Sequence, residues 1–63
     1  MSYTVEQVAA EGYRRYIEVE GGEWWDKEHA LHRAHTMWEY FQEEGMDFEA
    51  AADELAGTLY MEQ

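Results

Sequence analysis

The sequence has no cysteine, which excludes disulfide bonds, thiolate nucleophiles and thiolate metal ligands. Positive charge is also scarce: 4 Lys and Arg residues stand against 15 Asp and Glu residues, for a formal net charge of −11. Phosphate contact requires Lys and Arg, so this balance argues against direct binding to nucleic acid. It predicts that the chain binds a basic partner instead.

Long apolar runs are absent as well. No stretch approaches the roughly 18 apolar residues of a membrane helix, and the acidic excess should repel anionic lipid surfaces. The first residues, MSYTVE, have neither the basic region nor the apolar stretch of a signal peptide. We therefore expect a cytoplasmic protein that does not bind membranes.

Aromatic side chains are abundant. Hydrophobic residues make up 46% of the chain and aromatic residues 16%, which favours a folded domain over the disorder that high charge alone would suggest. A chain of this length is predicted to form one small acidic domain over residues 1–63. Its stability should be marginal, because only about 60% of the unfolded surface is buried at this size.

We predict an all-α domain of three helices. In the first helix, Thr4 is the expected N-cap and Gln7 completes a capping box, while Gly21 and Gly22 end the segment. Gly12 lies inside this helix and should weaken it by up to ~1 kcal/mol relative to alanine. Helical spacing relates the apolar residues of the segment, which are Val5, Val8, Ala9, Tyr13, Tyr16 and Ile17.

The second helix is predicted to run from about Glu23 to Glu44. Gly45 suits the left-handed position after a helix, and Met46 can pack back on Phe41 as in a Schellman motif. Asp47 should then cap the third helix. The apolar stripe of helix two is predicted to be Trp24, Leu31, Ala34, Trp38 and Phe41, and that of helix three Phe48, Ala52, Leu55 and Leu59. Of the large aromatics, Trp24, Trp38, Phe41 and Phe48 are the expected core.

Residues 16–25 have an alternative. They alternate between apolar and polar residues around Gly21 and Gly22, and a Gly-Gly pair between two such arms is a hairpin signal. Two isolated strands are only marginally stable in water unless they pack on helices. We prefer a helix–loop–helix here, and an α+β domain with a short hairpin is the alternative.

The three histidines are the only candidates for a reactive site. His29, His32 and His35 are spaced i, i+3, i+6, and two imidazoles with a carboxylate can hold a divalent metal. A single helix rarely supplies enough ligands, so we interpret them as a polar flank paired with Glu28 and Glu39. No metal site and no cofactor are predicted.

The sequence also offers little to a catalyst. No motif would expose and activate a serine or threonine, and no Gly-rich phosphate loop is present. Three short helices leave little room for a substrate pocket. We predict that the protein is not an enzyme.

Acidic residues dominate the C-terminal half, where eight acids and no Lys or Arg follow Thr36. A solvated helix face usually mixes Glu with Lys one turn apart, whereas Glu39–Glu43 and Glu49–Asp53 are like-charge i, i+4 pairs. Rows of this kind can imitate the phosphates of a nucleic-acid strand. The candidate partner-binding carboxylates are Glu39, Glu43, Glu44, Asp47, Glu49, Asp53 and Glu54.

Two aromatic residues, Trp25 and Tyr40, do not fall on the main apolar stripes. Exposed aromatics among charges often anchor protein interfaces, so both are candidate partner-binding residues. The structural alternative is that they cover the loop after Gly22.

The chain resembles the phage-encoded acidic DNA-mimic inhibitors of the anti-CRISPR and anti-restriction type. The resemblance lies in its small size, the absence of cysteine, its three short segments and its one-sided acidic surface. The resemblance extends over the chain through composition and charge pattern, and no residue motif matches. It implies an inhibitor that occupies the nucleic-acid groove of a host defence complex, such as a CRISPR effector or a restriction system. The protein would then act in the host cytoplasm, on a basic protein surface that normally binds nucleic acid.

A second hypothesis involves no mimicry. Proteins of salt-adapted organisms are rich in Asp and Glu and poor in Lys, and Lys27 is the single lysine here. The chain would then be a cytosolic regulatory or structural module whose charge serves solubility. The sequence leaves its oligomeric state open under either hypothesis.

Overall fold

The computed structural model describes residues 2–19 and 21–63, and these residues form three α-helices and no strand. Helix α1 spans Val5–Glu18, α2 spans Lys27–Glu43 and α3 spans Phe48–Met61. The predicted all-α, three-helix class is confirmed. The hairpin alternative is wrong for the described residues, because α1 continues to Glu18. Glu20, in the same segment, lies outside the described residues.

The helix ends follow local signals in the sequence. The Gln7 N–H donates to Thr4 Oγ1 over 3.1 Å and the Thr4 N–H donates to Gln7 Oε1 over 2.8 Å, which completes the capping box. Gly45 has a φ of 64°, and the Met46 N–H donates to the Phe41 carbonyl over 3.0 Å, as a Schellman motif requires. The predicted end of α2 is therefore confirmed.

The predicted start of α2 is wrong by about one turn. The helix begins at Lys27 rather than Glu23, and the Asp26 side chain caps it by accepting from the His29 N–H over 2.9 Å. The Tyr16 hydroxyl of α1 accepts hydrogen bonds from the backbone N–H groups of Trp24 and Trp25, over 2.8 and 3.1 Å. Because a distant side chain binds these two donors, the segment is held as a loop.

The shift changes which aromatic residues reach the core. Trp24, expected inside, is 72% exposed, and Leu31 is 36% exposed because Ala30 takes the inner position. Phe41 is fully buried as predicted, and Trp38 and Phe48 are partly buried against the core. The largest fully buried side chains are Tyr16, Phe41, Leu55, Leu59 and Val8.

Helix α1 packs against both α2 and α3, which contact each other less extensively. Gly12 makes the approach to α3 possible, since a Cβ built at this position would lie 2.6 Å from Leu55 Cδ2. Glycine destabilises α1 relative to alanine, and the close packing of α1 on α3 that glycine permits offsets this loss. The outer faces of α3 and of the C-terminal half of α2 remain exposed at the surface.

Candidate acidic interaction surface

The seven carboxylates predicted to bind a partner are all exposed. They lie on the C-terminal part of α2, on the α2–α3 connection and on the first turns of α3. Asp47 also has a structural role, because its Oδ1 accepts the Ala50 N–H over 2.8 Å and caps α3. Exposure alone therefore does not separate carboxylates that hold the fold from carboxylates that are free to bind.

Helix α1 neutralises part of this surface. The Arg15 guanidinium donates to the side chain of Glu49 and, over 3.2 Å, to the Glu49 carbonyl, and it lies 4.0 Å from Asp53 Oδ1. As the sequence predicts, Glu49 and Asp53 have no Lys or Arg on their own helix. The compensation comes from another helix, which the sequence spacing of α3 does not reveal.

A second long-range pair links α2 to the C-terminus. Arg33 Nε lies 3.1 Å from Glu62 Oε1, so a further C-terminal carboxylate has a basic neighbour. Within α1, Arg14 binds Glu11 and Glu18 at 2.7 and 2.6 Å, and Arg15 Nε donates to Glu11 over 2.8 Å. Hydrogen bonds from Arg14 and then Arg15 lower the pKa of Glu11 to about 2.

Five of the predicted carboxylates have no ion pair within the part of the chain that the structure describes, and Asp47 is the one of these five that caps a helix. The other four remain uncommitted to the fold. We call these residues the acidic strip: Glu39, Glu43, Glu44 and Glu54. Glu39 and Glu43 occupy successive turns of α2, and Glu44 is rotated from Glu43 by about 100° around the helix axis. Three carboxylates of the strip therefore spread over a broad face at the C-terminal end of α2, and the fourth, Glu54, belongs to α3.

Tyr40 of α2 interacts with carboxylates from both parts of the strip. The negative charge of Glu54, followed by partial burial and the charge of Glu44, raises the pKa of the Tyr40 hydroxyl above its ordinary value. Both carboxylates must approach Tyr40 to exert this effect, so Glu54 of α3 lies on the same surface as Glu44 of α2. Tyr40 itself is 42% exposed and accessible within the strip.

The position of the strip is unfavourable for stability. The C-terminus of a helix carries a partial negative charge, so cations stabilise the last turn and anions destabilise it. The last turn of α2 has no basic residue and contains Tyr40, Gln42 and Glu43, with Glu44 as the C-cap. Local stability therefore does not account for acidic residues here.

Trp25 is mainly part of the fold. Its indole Nε1–H donates to the Leu59 carbonyl over 2.9 Å, and its ring stacks on His29 with centroids 3.8 Å apart and planes at 14°. This contact ties the α1–α2 loop to α3. The structural alternative foreseen for Trp25, that it covers the loop after Gly22, accounts for these contacts.

The histidines form no ligand cluster in residues 2–19 and 21–63. These residues contain no group of three or more His, Asp and Glu side chains placed to hold a metal ion. The predicted pairing of the histidines with Glu28 and Glu39 is not found among the ion pairs of the same residues. His29 is occupied by its stack on Trp25, while His32 and His35 are exposed.

Sequence reasoning missed a second surface feature. An open cavity of about 480 Å³ lies between α1 and α2, lined by Ala10, Tyr13, Ile17 and Leu31 with Glu6 and Lys27 among the charged residues. The predicted stripe assigned Leu31 to the core, so no apolar groove was expected. Ala10, Tyr13 and Ile17 are spaced i, i+3, i+7 and so share one face of α1, and Leu31 of α2 lines the same cavity.

No helix among the described residues has both the length and the apolar character needed to cross a membrane. Comparison with protein families, with curated proteins and with solved structures finds nothing that matches this chain. The function is therefore inferred from the exposed residues of the chain itself.

Proposed function

We propose that this protein binds a nucleic-acid-binding protein of its host and inhibits it by placing carboxylates where DNA phosphates would sit. A CRISPR effector or a restriction system is the class of target that the resemblance implies. The observation that supports the proposal is the acidic strip, whose four exposed carboxylates have no basic neighbour among the described residues.

The carboxylates of the strip are complementary to a partner surface that normally binds phosphates. Side chains one helical turn apart lie ~5–6 Å from each other, so Glu39 and Glu43 present regularly spaced negative charge. Carboxylates accept charge-assisted hydrogen bonds from Lys and Arg, and the planar guanidinium of Arg can bind a carboxylate through two parallel bonds. A row of basic residues that normally grips a phosphate backbone can therefore grip this helix face.

Three of the seven carboxylates predicted to bind a partner are engaged within the fold, which narrows the proposed binding surface to the acidic strip. Glu49 and Asp53 already face Arg15, and Asp47 holds the N-terminus of α3. A partner would have to break these contacts to use the three carboxylates fully. The strip is ready to bind without rearrangement, and the net charge of −11 would speed the encounter with a basic partner.

The test compares two triple variants that remove equal charge. Glu43→Gln/Glu44→Gln/Glu54→Gln neutralises three of the four carboxylates of the strip, whereas Glu18→Gln/Glu23→Gln/Glu28→Gln neutralises three exposed acids elsewhere. Each protein and the wild type would be immobilised and exposed to host lysate at low salt. Bound proteins would be eluted with a short duplex DNA and identified by mass spectrometry.

We expect the wild type and the control variant to retain the same nucleic-acid-binding protein, which duplex DNA displaces, and the strip variant to lose it. Retention by both variants alike would overturn the proposal for this surface. If duplex DNA elutes nothing from the wild type, the salt-adapted module without mimicry becomes the better hypothesis.

A further inference from the structure

The groove between α1 and α2 exposes apolar side chains that a monomer of this size has reason to bury. Ile17 is 50% exposed and Leu31 36% exposed, and both line the cavity of about 480 Å³ together with Tyr13 and Ala10. Small domains bury a limited fraction of their surface, and association is one of the ways in which they gain stability.

The charges of the groove lie at its opposite ends. Tyr3, just before α1, packs on Trp38 in the second half of α2, and Tyr16 near the end of α1 binds the loop that leads into α2. The two helices are therefore antiparallel. Glu6 begins one end of the groove, while Lys27 lies at the other end beside Ile17, about 16 Å away by the helix rise.

Lys27 is unusual in a chain with 15 acidic residues, because it has no ion pair among the residues that the structure describes. It is also the first residue of α2, a position where the helix dipole disfavours a cation. Arg14, the other cation of the groove, is held by Glu11 and Glu18. Lys27 is thus the cation of the groove that is available to a partner.

We propose that the occupant of the groove is a second copy of this chain, bound about a two-fold axis perpendicular to α1. In this arrangement Lys27 of each copy faces Glu6 of the other, Tyr13 and Leu31 of both copies lie near the axis between the two ion pairs, and Ile17 of each copy packs beside an ion pair at either end. A two-fold interface pairs the same patch with itself, so a patch with opposite charges at its two ends is self-complementary when the copies are antiparallel.

The charge distribution over the rest of the surface also favours association through the groove. Two copies with a net charge of −11 each repel one another, and the groove is lined by Arg14 and Lys27 against Glu6 alone. No residue of the acidic strip lines the groove. Association through the groove therefore avoids the most repulsive surfaces and leaves both strips accessible, and it does not depend on what the strip binds.

The test is a charge swap followed by sedimentation equilibrium. The wild type is expected to be a dimer at about 0.15 M salt, where charges are screened beyond about 8 Å. Lys27→Glu alone and Glu6→Lys alone should each raise the dissociation constant at least about tenfold. The double variant Glu6→Lys/Lys27→Glu should recover the dimer, and an equimolar mixture of the two single variants should form a heterodimer.

A matched control separates the interface from net charge and from folding. Thr36→Glu/Gln42→Glu adds the same two negative charges on exposed positions of α2 outside the groove, and it should remain dimeric. Glutamate at position 27 suits the start of a helix, so the Lys27→Glu monomer should keep its helical circular dichroism spectrum. A wild type that stays monomeric up to about 1 mM, or a dimer that survives Lys27→Glu unchanged, would overturn the proposal.

Discussion

Glu11 is the carboxylate on which the two arginines of α1 converge. Arg14 and Arg15 both donate to it, and Arg15 extends from it to Glu49 of α3. The side chains of Glu11 and Arg15 are each only 22% exposed, so this contact is less accessible to water than the other pairs of α1. A single residue thus orients the cation that joins α1 to α3.

The pH dependence of stability should report this contact. The pKa of Glu11 is about 2 in the folded protein against an ordinary value of 4.5, so between these values the unfolded chain binds a proton that the folded chain does not. The contact therefore stabilises fully above about pH 4.5. Glu11→Gln should lower the free energy of unfolding at pH 7, and its difference from the wild type should shrink as the pH falls from 4.5 towards 2.

Urea denaturation of both proteins across this pH range measures the difference. Glu23→Gln is the control, because Glu23 is exposed and forms no ion pair within the described residues. A difference between Glu11→Gln and the wild type that is independent of pH would contradict the assignment of the low pKa to Glu11.

At the scale of elements, the α2–α3 connection combines a helix end with a helix start in four residues. Gly45 takes the left-handed conformation that ends α2, and Asp47 caps α3 immediately afterwards. The Tyr3 hydroxyl donates to the Met46 carbonyl, so the segment before α1 also holds this connection. The geometry of the acidic strip, which lies on both sides of the connection, depends on this corner.

Asp47 allows its capping role to be separated from its charge. Asp47→Ala removes the acceptor of the Ala50 N–H and should destabilise the protein by ~1 kcal/mol. Asp47→Asn removes the negative charge but keeps an oxygen acceptor, so it should cost much less. Chemical denaturation measures both values.

Equal destabilisation by the two Asp47 variants would show that charge rather than capping sets its contribution. The same pair is informative for binding, because Asp47→Asn tests the carboxylate in the proposed interface without loss of the cap. Asp47→Lys, by contrast, would change the fold and the charge together.

At the scale of the whole molecule, the charge is divided between a paired and an unpaired side. Arg14, Arg15 and Arg33 bind carboxylates of α1, α3 and the C-terminus, while the acidic strip has no such neighbours in the described part of the chain. The uncompensated charge repels itself and lowers the stability of the compact state.

Salt should therefore stabilise the protein. The melting temperature is expected to rise between low salt and about 0.15 M sodium chloride, where the screening length falls to about 8 Å. Glu43→Gln/Glu44→Gln/Glu54→Gln should melt at a higher temperature than the wild type at low salt and respond less to added salt, because it removes three of the repelling charges. A melting temperature that falls over this range would contradict the argument, and a large further rise into molar salt would favour the salt-adapted hypothesis.

The sequence alone was sufficient for the features that depend on neighbours within a few residues. The capping box at Thr4, the glycine end of α2 and the Asp47 cap each involve groups at most four or five positions apart, so their signals are visible in the chain itself. The helical spacing of apolar residues then predicts three amphipathic helices and an all-α fold. The exposure of the seven candidate carboxylates follows from the same spacing.

Only the tertiary structure decided which charges are paired and which aromatics are buried. Arg15 reaches Glu49 across 34 positions of the chain, and the Tyr16 hydroxyl holds Trp24 and Trp25 in a loop where local spacing favoured a helix. Helical periodicity defines a face but not the neighbour that this face meets. The acidic strip and the apolar groove could therefore be recognised only once α1 had been placed against α2 and α3, because packing determines which side chains lose their contact with water.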